Sequence, residues 1–221
     1  MKENKMKVEI WSDVMCPFCY IGKRKFESAL NQFSEKENIE IEWKSFQLNP
    51  DLKTEPNKNI NQSLADSKRW TLDYAKQMTA HVTGLASKAG LTYNFDKAVV
   101  ANSFDAHRFS HLAKKYNKQN EAEEQLFKAY FTDGKNTADK NVLLELGKEI
   151  GLDETEIKKV LDSNEYADEV RHDIYEAQQV GVRGVPFFVI NRKYAVSGAQ
   201  ESDVFLEVLN KSWSVFEREV V

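Results

Sequence analysis

Cysteine and proline are scarce in this 221-residue chain: it has two of the first and four of the second, with only 9 glycines. That excludes a disulfide-dense scaffold, a collagen-like repeat and a Pro/Gly-rich low-complexity chain. Positive charge has no surplus. Lys and Arg total 31 against 35 Asp and Glu, a net charge of −4, so no global basic field draws the chain to nucleic acid or an anionic membrane. No apolar run approaches the roughly 20 residues that span a bilayer. The start, MKENKMKVEIWSD, lacks the apolar core of a secretory signal. The expectation is a cytoplasmic protein with no nucleic-acid or membrane partner. What is present is core-forming material. Hydrophobic residues make up 41% and aromatics 11%, too much for a disordered chain and enough for one elaborated domain or two.

The two cysteines, Cys16 and Cys19, form a C-x-x-C pair, a spacing that two randomly placed cysteines would reach roughly once in a hundred. A long-range structural disulfide has no third cysteine to use. A closed zinc site would need further Cys or His ligands beside the pair, and none follows. Redox chemistry remains. Lys7–Trp11 alternates and is rich in β-formers, so it reads as a strand. From Tyr20 onward, Ile21, Phe26, Ala29, Leu30 and Phe33 mark one face of a helix. Pro17 then takes the first helical position, where its missing N–H costs nothing, and Cys16 becomes the N-cap. Its sulfur is expected to face the free N–H groups of Phe18 and Cys19, which with the positive helix end favour a thiolate. Cys16 is thus the attacking thiol and Cys19, one turn in, the resolving one.

A second strand at residues 39–47 completes a βαβ unit with a parallel pair. Residues 49–61 are polar, contain Pro50 and Pro56, and read as a linker. From Leu64 to Gln179 the pattern is almost wholly helical: 70–89, 96–116, 121–132, 139–150, a segment opened by Asp153, and 165–179. Val185–Ile190 and Lys193–Val196 then form a hairpin through Asn191-Arg192, and 201–217 a last helix. Without the helical middle the order is β-α-β, then β-β-α. This is an α/β chain with the thioredoxin fold and a large all-helical insertion. Residues 1–61 and 181–221 form the discontinuous thioredoxin-like part and 62–180 the insertion, expected to cap the redox pair.

With these pieces placed, the sequence resembles the DsbA-like thioredoxin-fold superfamily, FrnE-type subfamily, over nearly its whole length. The resemblance is carried by Ser12-Asp13-Val14, Cys16-Pro17-Phe18-Cys19-Tyr20-Ile21-Gly22, Phe46-Gln47-Leu48-Asn49-Pro50, Asn102-Ser103, Ala106-His107-Arg108, and Gly181 to Phe188. It implies thiol-disulfide oxidoreductase activity through a mixed disulfide on Cys16. It also implies a cis bond before Pro186, beside the redox pair, where the proline keeps metal off the thiols. Related 2-hydroxychromene-2-carboxylate isomerases and kappa-type glutathione transferases carry serine at the position of Cys16. Having both cysteines therefore favours dithiol exchange over a glutathione-dependent isomerase or transferase acting on a small aromatic molecule. Phe18 stands where the subfamily commonly has tryptophan, and the motif lacks the histidine of periplasmic DsbA.

The expected site is then Cys16, Cys19 and Pro186 for catalysis. Val185, Phe18, Tyr20, His107 and Arg108 are expected to bind substrate, with Asp13 and Pro17 in support. Val185 would offer backbone groups to an extended substrate. Phe18 and Tyr20 would supply an apolar rim, or pack in the core. Asp13 would order the loop, or handle a proton for Cys19. His107 and His111, four apart, lack the remaining ligands of a zinc motif, and no metal is expected. No cofactor is expected beyond the redox pair, with glutathione a co-substrate in the alternative. Partners would be disulfide- or thiol-containing proteins or small molecules, plus a reducing partner that the sequence does not identify.

Overall fold

The computed structural model describes residues 5–220; residues 1–4 and 221, assigned above to the thioredoxin-like part, lie outside the described residues. Strand β1 (Met6–Ser12) runs into helix α1 (Pro17–Gln32), and β2 (Ile39–Ser45) returns parallel to β1, with Val8 opposite Ile41. After the long helical segment, β5 (Phe187–Ile190) pairs antiparallel with β1, and β6 (Tyr194–Ser197) with β5. The sheet order is β2-β1-β5-β6. This is the thioredoxin arrangement expected from the sequence. The central strand β1 is buried on both faces, with Met6, Val8, Ile10 and Trp11 fully covered, as a strand sandwiched between helices must be. The hairpin turn needs positive φ at both central residues, and Asn191 (49°) and Arg192 (55°) supply it.

The connection between the two halves holds β3 (Glu55–Asn59), α2 (Ile60–Lys68), α3 (Leu72–Lys88), β4 (Val99–Val100), α4 (Phe104–Lys115) and α5 (Gln119–Phe127). A wider π-helical turn at Lys128–Asp133 follows, then α6 (Lys140–Glu149), α7 (Glu154–Leu161) and α8 (Ala167–Gln179); α9 (Ser202–Val220) closes the chain. Two local expectations are corrected. Residues 55–59, read as linker, form a strand that pairs antiparallel with β4. EPNKN carries no strand signal; its partner lies some forty residues away. For the same reason the helix expected from Asp96 begins only at Phe104, because Val99 and Val100 belong to that ladder. The π-helical turn ends at Gly134 (φ 68°), where a Cβ would stand 2.5 Å from that of Lys97.

One hydrophobic cluster runs from the sheet through α1 into the connecting helices, joining Ile10, Cys19, Phe26 and Phe188 to Phe109, Phe127 and Leu143. Phe26 packs on Phe188 (5.4 Å between rings) and edge-on to Phe205 of α9 (5.7 Å). The outer edge of β2 is closed by side chains. Gln119 accepts from the Trp43 N–H and donates to its carbonyl (3.0 and 2.9 Å), and Asp173 accepts from the Ser45 N–H (2.9 Å). These polar plugs remove an edge that could pair with another chain.

Candidate active site

The C-x-x-C motif lies where β1 ends and α1 begins. Pro17 occupies the first turn of α1, and Cys16 is its N-cap with extended backbone (φ −87°, ψ 111°). The Cys16 carbonyl accepts from the Cys19 N–H at 3.0 Å. The thiol behaves differently from the expectation. It makes no capping hydrogen bond and instead donates to the Val185 carbonyl at 3.4 Å, the residue before cis Pro186. The loop before β5 brings this carbonyl over the helix end, so the thiol turns outward to it rather than back onto its own helix.

Both thiols are free, Cys16 being 4% exposed and Cys19 fully buried. Burial pushes the Cys19 thiol well above its ordinary range, and the hydrogen bond and charge from Cys16 push it the same way. The Ser12 hydroxyl and the Asp13 backbone facing the Cys19 sulfur oppose this and lose. Desolvation of the charged form is the larger effect in an enclosed site. Cys19 is therefore held as the protonated thiol.

Asp13 is fully buried and joins three segments. Its carbonyl accepts from the Cys16 N–H (2.9 Å), and its carboxylate accepts from the N–H groups of Met15 (3.3 Å) and Leu48 (2.7 Å). Below it, His107 of α4 places Nε2 3.6 Å from the Asp13 carboxylate, with 2% of the residue exposed. Burial disfavours the imidazolium, but the Asp13 and Glu123 carboxyls and the Phe46 carbonyl outweigh it and raise His107 above its ordinary value. Both halves of the molecule thus meet beneath the motif.

The remaining expected site residues separate. Phe18 is 41% exposed and Leu48, whose N–H meets Asp13, is 51% exposed; these apolar groups flank the motif. Tyr20 is buried. Its ring stacks on Phe127 (5.0 Å) and Tyr93 (6.2 Å), and its hydroxyl donates to Glu124 at 2.6 Å. Tyr93 in turn donates to the Pro17 carbonyl at 2.7 Å, fixing the first turn of α1 from the connecting segment. Arg108 lies next to His107 in sequence but points away. Its guanidinium donates to the carbonyls of Val160, Ser163 (2.5 Å) and Glu165 (2.9 Å) around the end of α7, and to Asp105 (2.7 Å). Consecutive helical residues diverge by about 100°, so one faces Asp13 and the other serves α7. His111 pairs with Asp173 (3.0 Å) and Ser45 (3.2 Å).

Sequence reasoning did not find Glu123, Glu124, Tyr93 or the closeness of Gly22 to Pro186. A Cβ on Gly22 would stand 2.9 Å from the Pro186 ring, so α1 approaches the cis-proline loop only because this position is glycine. The i, i+4 pairs Tyr20–Arg24 and Lys23–Glu27 were visible signals along α1. Glu124, which joins Tyr20, Lys23 and Arg24 (Lys23 at 2.8 Å), needed the tertiary structure. An open cleft of about 730 Å³ follows this α1–α5 seam; neither cysteine is among its lining residues. Among the described residues no three His, Cys, Asp or Glu side chains group as a metal site, and no helix is long and apolar enough to cross a membrane.

Known proteins are similar to this chain in sequence or in fold. A family model for the DSBA-like thioredoxin domain matches residues 7–210. A probable DsbA oxidoreductase from Streptomyces coelicolor is 36% identical, with a TM-score of 0.88 over 95% of this chain and 90% of that one. The uncharacterized protein YwbO of Bacillus subtilis (strain 168) is 29% identical over 92% of this chain and 95% of its own. The fold alone extends to the cytosolic disulfide reductase DsbM from Pseudomonas aeruginosa (15% identical, TM-score 0.66, 95% and 99% covered). It extends equally to a 2-hydroxychromene-2-carboxylate isomerase (14%, 0.66, 97% of each chain). With Cys16 and Cys19 together at the helix end, the Val185 carbonyl against Cys16 and a family match across residues 7–210, this protein belongs to the DSBA-like thioredoxin domain family.

Proposed function

We propose that this protein is a thiol-disulfide oxidoreductase in which Cys16 exchanges with substrate and Cys19 resolves. The observation that supports this most is the asymmetry of the two sulfurs. Cys16 sits at the outer end of α1 against the Val185 carbonyl, while Cys19 is enclosed and held protonated. In the reducing direction the Cys16 thiolate attacks one sulfur of a substrate disulfide. A Cys16–substrate bond forms, the substrate S–S bond breaks, and one substrate thiolate leaves with the electron pair. Cys19 then loses its proton and attacks Cys16. The Cys16–Cys19 disulfide forms and the second substrate thiolate departs, two electrons having passed to substrate. The oxidising direction runs these steps backward. Val185 and cis Pro186 lie where an extended substrate backbone would exchange a hydrogen bond for the one Cys16 now makes, and Phe18 and Leu48 offer apolar contact beside it.

The exchange requires no cofactor. A dithiol or glutathione would regenerate the pair, and substrates would be disulfide- or thiol-containing proteins or small molecules. The compartment we infer is the cytoplasm, where a lone C-x-x-C pair works against a reducing pool. Two variants test the assignment. Cys19→Ser should accumulate mixed disulfides on Cys16, and Cys16→Ser should form almost none; equal trapping by the two would refute the roles. A glutathione-dependent isomerase would instead keep its activity in Cys19→Ser, with no trapped protein partner.

A further inference from the structure

The mechanism above uses the two sulfurs and the cis-proline loop, and leaves unused a buried Asp13–His107 pair that is joined to the motif through the Cys16 N–H. Asp13 is fully covered and hydrogen-bonded through its backbone to Cys16. The His107 Nε2 stands 3.6 Å from the Asp13 carboxylate with no hydrogen-bond partner of its own. At that distance charge, rather than a shared proton, couples the two. We propose that His107 sets the redox balance of the Cys16–Cys19 pair: its imidazolium neutralises the Asp13 carboxylate under the motif, so a thiolate can form above it. This rests on the exchange reading and deepens it, moving His107 from the substrate pocket to a positioning role.

The surrounding charges fit this role. From α5, Glu123 faces His107, but burial pushes its carboxyl up toward the neutral form, with the Ser110 hydroxyl donating to it at 2.6 Å. Lys23 of α1 opposes that rise by its charge, and its own hydrogen bonds go to Glu27 and Glu124. From the π-helical turn, the buried Tyr130 hydroxyl faces Asp13 and stays protonated. On α4 itself, Arg108 is committed to carbonyls near α7, and His111 to Asp173 of α8, which also holds Lys44. Asp13 is thus the carboxylate left for His107 to balance. The sign follows. Charged His107 favours the reduced, thiolate-bearing form. It acts only where a thiolate is present, and because the value of His107 is raised in the folded protein, the effect fades as pH rises through that higher value. Above that, an uncompensated Asp13 disfavours the thiolate and tilts the pair toward the disulfide.

The test is the equilibrium of the Cys16–Cys19 pair with glutathione redox buffers from pH 6 to 9, for wild type, His107→Gln, Asp13→Asn and the double variant. His107→Gln should shift the constant about tenfold toward the disulfide, equivalent to ~30 mV, at pH values where the wild-type thiolate has formed and His107 is still charged. It should also lose the extra pH dependence above neutrality. Asp13→Asn should shift the opposite way, and the double variant should return close to wild type. A His107→Gln curve parallel to wild type at every pH, or a double variant no nearer wild type than the single, overturns the proposal. If His107→Gln does not fold, His107→Asn takes its place in the same series: a shift toward the disulfide that Asp13→Asn cancels supports the proposal, and no shift overturns it. Thiolate absorbance at 240 nm in the reduced proteins separates this idea from the functional reading. Without any disulfide exchange, a later-rising thiolate signal in His107→Gln upholds the coupling while the oxidoreductase reading fails; an unmoved signal overturns the coupling too.

Discussion

Arg108→Ala separates a substrate-pocket role from a structural one. Arg108 is 4% exposed, and its guanidinium donates to three main-chain carbonyls, those of Val160, Ser163 and Glu165. These belong to the end of α7 and the turn after it, where carbonyls lack helical partners and a cation is favourable. The Val160 carbonyl keeps the Ser163 N–H at 3.3 Å, so truncation leaves the Ser163 and Glu165 carbonyls unmet at about 1 kcal/mol each, the low end for a buried polar group, or roughly 2 kcal/mol together. The half-exposed Asp105 pair adds little. For a chain of this size that lowers Tm by roughly 4–8 °C. Arg108→Lys, with one ammonium for three acceptors, should recover only part of the loss. The assay is a thermal melt of the reduced protein beside the rate of insulin reduction at 20 °C. We expect the melt to fall while the rate per folded molecule stays within about twofold, or ~0.4 kcal/mol. A Tm change below about 2 °C together with lost or redirected exchange would refute the reasoning and return Arg108 to the substrate pocket.

Three further outcomes follow from the same geometry. Gly22→Ala forces a Cβ to 2.9 Å from the Pro186 ring; it should cost about 1–3 kcal/mol and slow exchange by displacing Val185 from Cys16. Wild-type stability combined with wild-type rates would show that the contact relaxes freely. Tyr20→Phe keeps the stack on Phe127 but removes the 2.6 Å bond to Glu124; chemical denaturation should show a loss of about 1.5–3 kcal/mol, as for a bond to a charged acceptor. Glu42 and Glu124 both titrate near 2, because although burial opposes ionisation, hydrogen bonds and charge from Lys114, Lys7 and Lys44, and from Arg24 and Lys23, outweigh it. Depressed carboxylates stabilise the fold above the unfolded value of about 4.3 and lose that contribution as pH falls through the folded one. Stability should therefore drop between about pH 4.5 and 2, less steeply in Glu124→Gln; an unchanged slope in that variant would show that the Arg24–Glu124 pairing does not contribute.

The sequence by itself determined the frame: β1, α1, β2, the hairpin and the last helix. Each announces itself within a few residues, through alternation, helical periodicity, Pro17 at a helix start and the left-handed turn at Asn191-Arg192. The C-x-x-C pair was legible because two rare residues stood at a chemically meaningful spacing. Tertiary structure decided what no local signal encodes. The polar segment 55–59 is a strand only because Val99 and Val100 lie beside it. The Cys16 thiol meets Val185 because two segments about 170 residues apart converge, and a carbonyl across the gap wins over the helix's own N–H groups. Most of all, His107 and Arg108 are neighbours in sequence with similar chemistry, yet the helical turn sends one under the redox motif and the other to the end of α7. A string of residues can mark both as worth watching. Which of them reaches the Asp13 carboxylate depends on the rotation and packing of α4 against α5, α7 and α8, and that is settled by the buried surfaces of the whole core.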